Sequence, residues 1–465
     1  MPFPRYPHQD HGLKLLREQQ ATMLAWEMGC GKSRVIVDHV AEERPHRTII
    51  FAPTAVVPVW PREFVKHQPS APLMVVPLVG TKQKRLKALA NALSEQGQRG
   101  DMPLVVVVNY EAVRSTELAH ALKCVDWQLA VCDEVHKIKS ATGMQSKRVA
   151  AICGQGESSK RVGLTGTPLP HSPLDAFGQF RWLDPQVYGP SFVRFRGAYC
   201  IMGGMRVNGR PVQVLGYRNM EDFHERFYTV AHRVTKEEVL SDLPEQTHAY
   251  RLVALPSKAR KVYKAMEDDL YAEVDSGEIS ADNALVKLVR LQQISSGYIV
   301  DDDDVKRELH DEKRKALEEV FSDIPQDKPV VVFCKFVHDL TAVKAAAEKS
   351  ERAYMEQSGR SRDWEKFQFE SESGEVIGVQ IQSGGAGIDL TRSCHCVYMS
   401  NTHSLGDYDQ SLARLHRPGQ RHDVSYTHIL AAGTVDEGIY ESLQTRQNVV
   451  QRVLNGERLS EGITL

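Results

Sequence analysis

The sequence predicts an α/β protein of two lobes, each built on a parallel sheet, with helical protrusions inserted between them. Three observations carry that prediction. Two series of short β-branched runs lie far apart, the stretch between them lacks strand periodicity over most of its length, and 465 residues exceed what one ordinary core holds.

The first series is formed by residues 48–51, 104–108, 129–132 and 161–164. Each run is short, rich in Val, Ile or Leu, and bounded by turn formers, which is how strands covered on both faces read. Helical patterns lie between them, the alternation that builds a parallel sheet. The second series has the same character and covers 329–334, 375–380, 396–399 and 424–429. In the stretch between, 257–274 and 282–293 have helical periodicity, and 202–216, richer in Gly and Val, reads as a small hairpin. The acidic run 301–304 reads as a solvated loop ahead of the second lobe. The expected division is therefore 1–170, 171–310 and 311–465.

Composition narrows the class. With 42% hydrophobic and 25% charged residues the chain matches a globular protein rather than a disordered or membrane one. No run approaches the roughly 18 apolar residues of a membrane span, and the start Met-Pro-Phe-Pro-Arg-Tyr-Pro-His lacks the pattern of a signal peptide, so an intracellular protein with no membrane partner is expected. The eight cysteines show no Cys-x-x-Cys spacing and read as buried thiols. Cys394-His395-Cys396 cannot converge on one ion, because neighbours along a strand point to opposite faces. A net charge of −2 gives no global basic field, so any contact with nucleic acid must come from a local groove.

Met28-Gly29-Cys30-Gly31-Lys32-Ser33 precedes the helical pattern Val35, Ile36, Val37, Val40. Gly29 and Gly31 let backbone N–H groups turn toward phosphates, Lys32 can reach their β/γ oxygens, and the Ser33 hydroxyl can hold Mg²⁺. The strict phosphate-loop pattern has Gly where this chain has Trp26. Asp133-Glu134-Val135-His136 follows the run 129–132 and places two carboxylates at a strand tip, where α/β sheets put their ligands. There Asp133 can hold Mg²⁺ and Glu134 can orient and deprotonate an attacking water, although an isolated acidic pair also caps a following helix. Thr165-Gly166-Thr167-Pro168 follows another short strand, and its hydroxyls suit sensing a γ-phosphate. Arg414 and Arg417 stand three apart, on one face if helical, and two guanidiniums can stabilise charge on a transferring phosphoryl group. Ser383-Gly384-Gly385-Ala386-Gly387-Ile388-Asp389-Leu390-Thr391 is a glycine-rich loop that permits close approach to phosphate.

The order of these motifs resembles the Swi/Snf family of helicase superfamily two over nearly the whole chain. Tyr6-Pro7-His8-Gln9 is similar to the family's adenine-reading element, with Gln9 facing the base. Glu27 to Ser33 resembles its phosphate loop, and Phe51-Ala52-Pro53-Thr54, continuing to Trp60 and Glu63, the segment that touches a DNA strand. Asn109-Tyr110-Glu111, Asp133 to His136 and Leu164 to Pro168 match the next motifs in order. In the second half Val331 to Phe336, Gly359 to Phe367, the glycine loop and Gln410 to Gln420 follow suit, with Pro418 where the family commonly has isoleucine. Arg233 to Lys236 and Leu243-Pro244 resemble the family's arginine-and-lysine segment, but Glu245-Gln246 replaces its usual lysine spacing.

The resemblance implies two RecA-like lobes hydrolysing ATP with Mg²⁺ to move along double-stranded DNA, and DNA-bound proteins as further partners. It implies Lys32, Asp133, Glu134, Arg414 and Arg417 as catalytic, with Gln9, Gly29, Gly31, Lys32, Ser33 and Gln410 on the nucleotide and Ser33 and Asp133 on the metal. Pro53, Thr54, Asn109, Thr165, Gly166, Ser383, Gly384 and Thr391 are the implied DNA contacts. No chromatin-reading module accompanies these motifs, so the chain looks like a bare motor of bacterial or viral type, acting in a bacterial cytoplasm or, if virus-encoded, in that of the host.

Overall fold

Among the described residues, nine strands belong to the first half of the chain: Ala21–Trp26 (β1), Arg47–Ala52 (β2), Met74–Leu78 (β3), Leu104–Asn109 (β4), Leu129–Asp133 (β5), Lys160–Leu164 (β6), Cys200–Val207 (β7), Arg210–Tyr217 (β8) and Ala231–Val234 (β9). They are seen in a computed structural model that describes residues 4–454 apart from 101, 154–158, 171, 208–209, 241–242, 277–280, 301–304, 372 and 383–387. Seven form one sheet in the order β3-β4-β2-β5-β6-β1-β9, parallel at every pairing. Alternate side chains feed two cores. Ile49, Phe51 and Val106 face one, while Ile50, Ala52 and Val105 face the other. Burial on both faces is why these strands read as continuous apolar runs. Antiparallel β7 and β8 form the expected hairpin, with register shifts near Met202 and Arg206.

The second half carries Gln246–Val253 (β10), Tyr298–Val300 (β11), Lys306–Glu308 (β12), Val330–Cys334 (β13), Tyr354–Gln357 (β14), Val376–Gln380 (β15), His395–Tyr398 (β16) and Val424–Ala431 (β17). Six of them make a second all-parallel sheet in the order β10-β17-β16-β13-β15-β14. The expected helices appear as Ser257–Ser276 and Ala281–Ser295. The acidic run 301–304 lies outside the described residues, but it is flanked by β11 and β12, which pair antiparallel.

The chain divides into two units, one made of Met1–Ser241 together with Arg446–Leu465 and one running from Asp242 to Thr445. Residues 171–310, expected as a mainly helical region between lobes, are thus shared. β9 is an edge strand of the first sheet and β10 an edge strand of the second. Neither run has the apolar continuity of a doubly covered strand, since β9 has four residues and β10 is largely exposed. β3 was unread for a related reason: it holds Pro77, tolerated because β3 is also an edge. Of the cysteines, six are buried as expected, while Cys394 is half-buried and Cys124 exposed.

Candidate functional site

In the first unit the expected residues gather at the C-terminal ends of five neighbouring parallel strands. β1 leads to the loop of Gly29 and Gly31, β2 to Pro53 and Thr54, β4 ends on Asn109, β5 on Asp133, and β6 runs into Thr165. This is the edge at which an open α/β sheet binds ligands.

The phosphate loop closes onto a helix, Lys32–Glu43 (α1), directly after Gly31. Gly29 and Gly31 have φ of +94° and +80°, the left-handed region that suits glycine. A Cβ at Gly31 would lie 2.2 Å from Gln9 Nε2, so the loop has no room for one. Gln9 is buried against the loop: its Oε1 accepts from the Tyr6 N–H at 3.0 Å and its Nε2 approaches Cys30 O at 3.4 Å. His8 Nε2 lies 2.8 Å from the same carbonyl. Lys32 folds back over the loop, donating to Trp26 O at 2.7 Å and Glu27 O at 3.2 Å. Trp26 needs no glycine flexibility, because it is the last residue of β1. Its indole is buried and donates to His232 Nδ1 at 2.9 Å.

Asp133 is held by two aromatic donors. Trp60 Nε1 donates to its Oδ2 at 3.1 Å, and the Tyr110 hydroxyl donates to its backbone carbonyl at 2.8 Å. Burial, reinforced by the adjacent Glu134, pushes the Asp133 carboxyl up to about 7, against the pull of Lys32. Glu134 sits at φ +55°, a left-handed conformation costing a non-glycine residue about 1 kcal/mol. Such strain concentrates at functional sites. His136 Nδ1 lies 3.3 Å from Glu134 Oε2 and 3.1 Å from Thr165 Oγ1, so one imidazole bridges the acid and the next motif. The sequence placed His136 within its motif but offered no spacing that ties Trp60 or Tyr110 to Asp133.

The expected DNA contacts divide by exposure. Thr54 is exposed and Pro53 partly so. Asn109 is only 5% exposed, its amide donating to Thr54 Oγ1 at 3.1 Å and Glu111 Oε2 at 2.8 Å. Burial pushes the Glu111 carboxyl up, yet the donors on Asn109 and Thr54 hold it below the usual range. Thr165 is fully buried, with its hydroxyl on His136 and on the Thr167 N–H, which corrects its expected place on a DNA-contacting surface. Asn109 is corrected likewise: it braces Thr54 from behind. Gly166 is partly exposed, and a Cβ there would meet Met28 Cγ at 2.7 Å, so this motif packs against the phosphate loop.

In the second unit Ser383 and Gly384 lie outside the described residues, whereas Thr391 is placed by its Oγ1 and N–H, both donating to Asp389 Oδ1 at 2.8 and 3.0 Å. Gln410 is buried on the helix Leu405–Leu412. That helix ends before Arg414, so the expectation that Arg414 and Arg417 share a helical face is corrected. Both lie in the turn that follows, yet both reach Ile388 O, at 3.5 and 3.3 Å, and so converge on the end of the glycine loop. Gln420 stiffens the turn by donating to Ser393 O at 2.8 Å.

The donors in the first unit suit Mg²⁺ and a nucleotide. Ser33 and Asp133 offer only oxygen, the preference of a hard cation, and the buried Asp133 beside the carboxylate of Glu134 is an environment that a divalent ion stabilises.

The SNF2-related domain model matches residues 8–297, and the helicase conserved C-terminal domain model matches 312–419. Putative protein p41 of Acyrthosiphon pisum secondary endosymbiont phage 1 is 27% identical, over 92% of this chain and 93% of its own. The DNA annealing helicase and endonuclease ZRANB3 of Mus musculus is 24% identical over 97% of this chain, and the putative ATP-dependent helicase/translocase YwqA of Bacillus subtilis 23% over 97%. This chain spans 41% and 49% of the lengths of those two relatives. Among solved structures, the Sulfolobus solfataricus SWI2/SNF2 ATPase core in complex with dsDNA is 21% identical, with a TM-score of 0.43 over 98% of this chain and 94% of that one.

Proposed function

Since the chain belongs to the SNF2-related family of helicase-like ATPases, we propose that it is a translocase that hydrolyses ATP to move along double-stranded DNA and displace or remodel what is bound there. The observation that carries this reading is the gathering of phosphate loop, paired acids and Thr54 at the ends of adjacent parallel strands in one unit. Nucleotide chemistry and a DNA-facing segment thereby share one rigid sheet edge.

In this reading the loop N–H groups around Gly29 and Gly31 receive the phosphates, and Lys32 leaves its two carbonyls to meet the β/γ oxygens. Ser33 and Asp133 hold Mg²⁺, which when bound neutralises phosphate charge. Glu134 takes the proton of the attacking water, and His136 keeps it oriented. Gln9 and Gln410 serve the nucleotide. Arg414 and Arg417 serve as the cations that stabilise charge on the transferring phosphoryl group. Thr54, Pro53, Gly166, Ser383, Gly384 and Thr391 serve the DNA backbone. Contacts of that kind position a motor without reading bases, so sequence preference is low and salt sensitivity high.

The test is steady-state ATP hydrolysis without nucleic acid and with single-stranded DNA, duplex DNA or RNA, each at two salt concentrations. Stimulation by duplex alone, weakening at higher salt, is the expected result. Stimulation by single strands or RNA instead would assign the chain to strand separation.

A further inference from the structure

The segment of Thr54, proposed to serve DNA, and the segment of Asn109 that braces it each send one buried aromatic donor to the same residue. The loop of Pro53 and Thr54 runs into the helix Val59–His67, whose Trp60 gives its indole N–H to Asp133 Oδ2 at 3.1 Å. Tyr110 follows Asn109 directly and gives its hydroxyl to the Asp133 carbonyl at 2.8 Å. The two segments are also tied to each other, through the Asn109 amide on Thr54 and the Glu111 carboxylate that accepts from both.

Trp60 is 1% exposed and Tyr110 0%, so neither touches a ligand on the surface. Asp133 meanwhile has little water to replace a lost donor, which makes the Trp60 bond a strong determinant of where its carboxylate points and the Tyr110 bond one of where its backbone sits. We propose that Trp60 and Tyr110 are positioning residues that couple the segments of Thr54 and Asn109 to the metal-holding carboxylate, and so make ATP hydrolysis respond to DNA. A backbone phosphate gripped at Thr54 shifts the helix that carries Trp60, and the indole carries the shift to Asp133. This rests on the function proposed above.

The test uses the full chain with Trp60→Phe and Tyr110→Phe, which keep an aromatic ring and remove the donor. Three quantities are read: duplex affinity by fluorescence anisotropy, the factor by which duplex stimulates hydrolysis, and Mn²⁺ affinity with a non-hydrolysable ATP analogue by electron paramagnetic resonance. Duplex affinity is expected to stay within about twofold of wild type. For Trp60→Phe, Mn²⁺ affinity and the stimulation factor each fall about tenfold, the weight of a hydrogen bond to a charged group. For Tyr110→Phe, where the acceptor is a neutral carbonyl, the stimulation factor falls about threefold. Phe64→Leu removes packing from the Trp60 ring, whose centroid is 6.2 Å away, without touching Asp133, and should lower Tm while leaving Mn²⁺ affinity unchanged. The inference is overturned if both donor variants keep the wild-type stimulation and Mn²⁺ affinity, or if Phe64→Leu reproduces their losses. A wild-type chain that no nucleic acid stimulates sinks the proposed function as well, and that result is visible before any substitution is made.

Discussion

The two units hold their expected catalytic groups in opposite ways. In the first, the acids are built into the fold: Asp133 is nearly buried beneath Trp60 and Tyr110, and Glu134 is fixed in a left-handed conformation beside His136. In the second, Arg414 and Arg417 are partly exposed in a turn, and both reach one backbone carbonyl, a neutral acceptor, at 3.5 and 3.3 Å. A buried carboxylate is costly and must be braced, whereas a guanidinium at the surface keeps most of its hydration. Substituting the acids should therefore change stability and chemistry together, and substituting the arginines chemistry alone.

The largest expected effect lies in the first unit. Glu134→Gln should slow hydrolysis by up to about 10⁴ while ATP still binds, because the amide cannot take a proton from water. Turnover is read at saturating ATP and binding with a fluorescent nucleotide, and normal turnover would remove Glu134 as the base. In the second unit Arg417→Ala should cost about 10³ in rate with a modest change in nucleotide affinity. Its Tm should stay within about a degree of wild type, and a large drop would break the contrast between the units.

Stability against pH sharpens the comparison further. The Asp133 carboxyl is raised to about 7, so its favourable contribution is full below the unfolded value near 3.8 and is lost as pH climbs through about 7. Asp133→Asn, which keeps an acceptor for Trp60, should then raise the Tm of the ligand-free protein by a few degrees at pH 8. The gain should shrink as pH falls toward 4, and a constant difference across that range would place the strain elsewhere. The smallest effect is expected at His428 in the second unit, where burial pushes the imidazole down to about 3. Its contribution is full above about 6.5 and lost as pH falls toward 3, so His428→Phe should flatten acid destabilisation over that window, read by thermal melts from pH 7 to 4.

What could be read from the sequence follows from where each part lies. Strands of the sheet interior are apolar on both faces, so β2, β4, β5, β6, β13, β15, β16 and β17 announced themselves, and the motifs at their ends came with them, whereas β1, also interior, did not, its run Ala-Thr-Met-Leu-Ala-Trp having no Val or Ile. The edge strands β3, β9, β10 and β14 did not. Each leaves one side unpaired, tolerates proline or polar residues, and loses the pattern that marks a covered strand. Lys32, Asp133 and Glu134 were legible because backbone geometry binds them to a strand end within a few residues.

Other features had no local signal. That Thr165 is buried on His136, that Asn109 braces Thr54 rather than facing outward, and that Arg414 and Arg417 leave the helix before meeting at Ile388 depend on residues 26 to 55 positions apart, brought together by packing. Sequence alone thus determined the two parallel sheets and the chemical groups at their strand ends, since strand periodicity and loop chemistry are local. Only the tertiary structure decided which donors brace Asp133, because Trp60 and Asp133 stand 73 residues apart and meet only when β2 and β5 pair side by side.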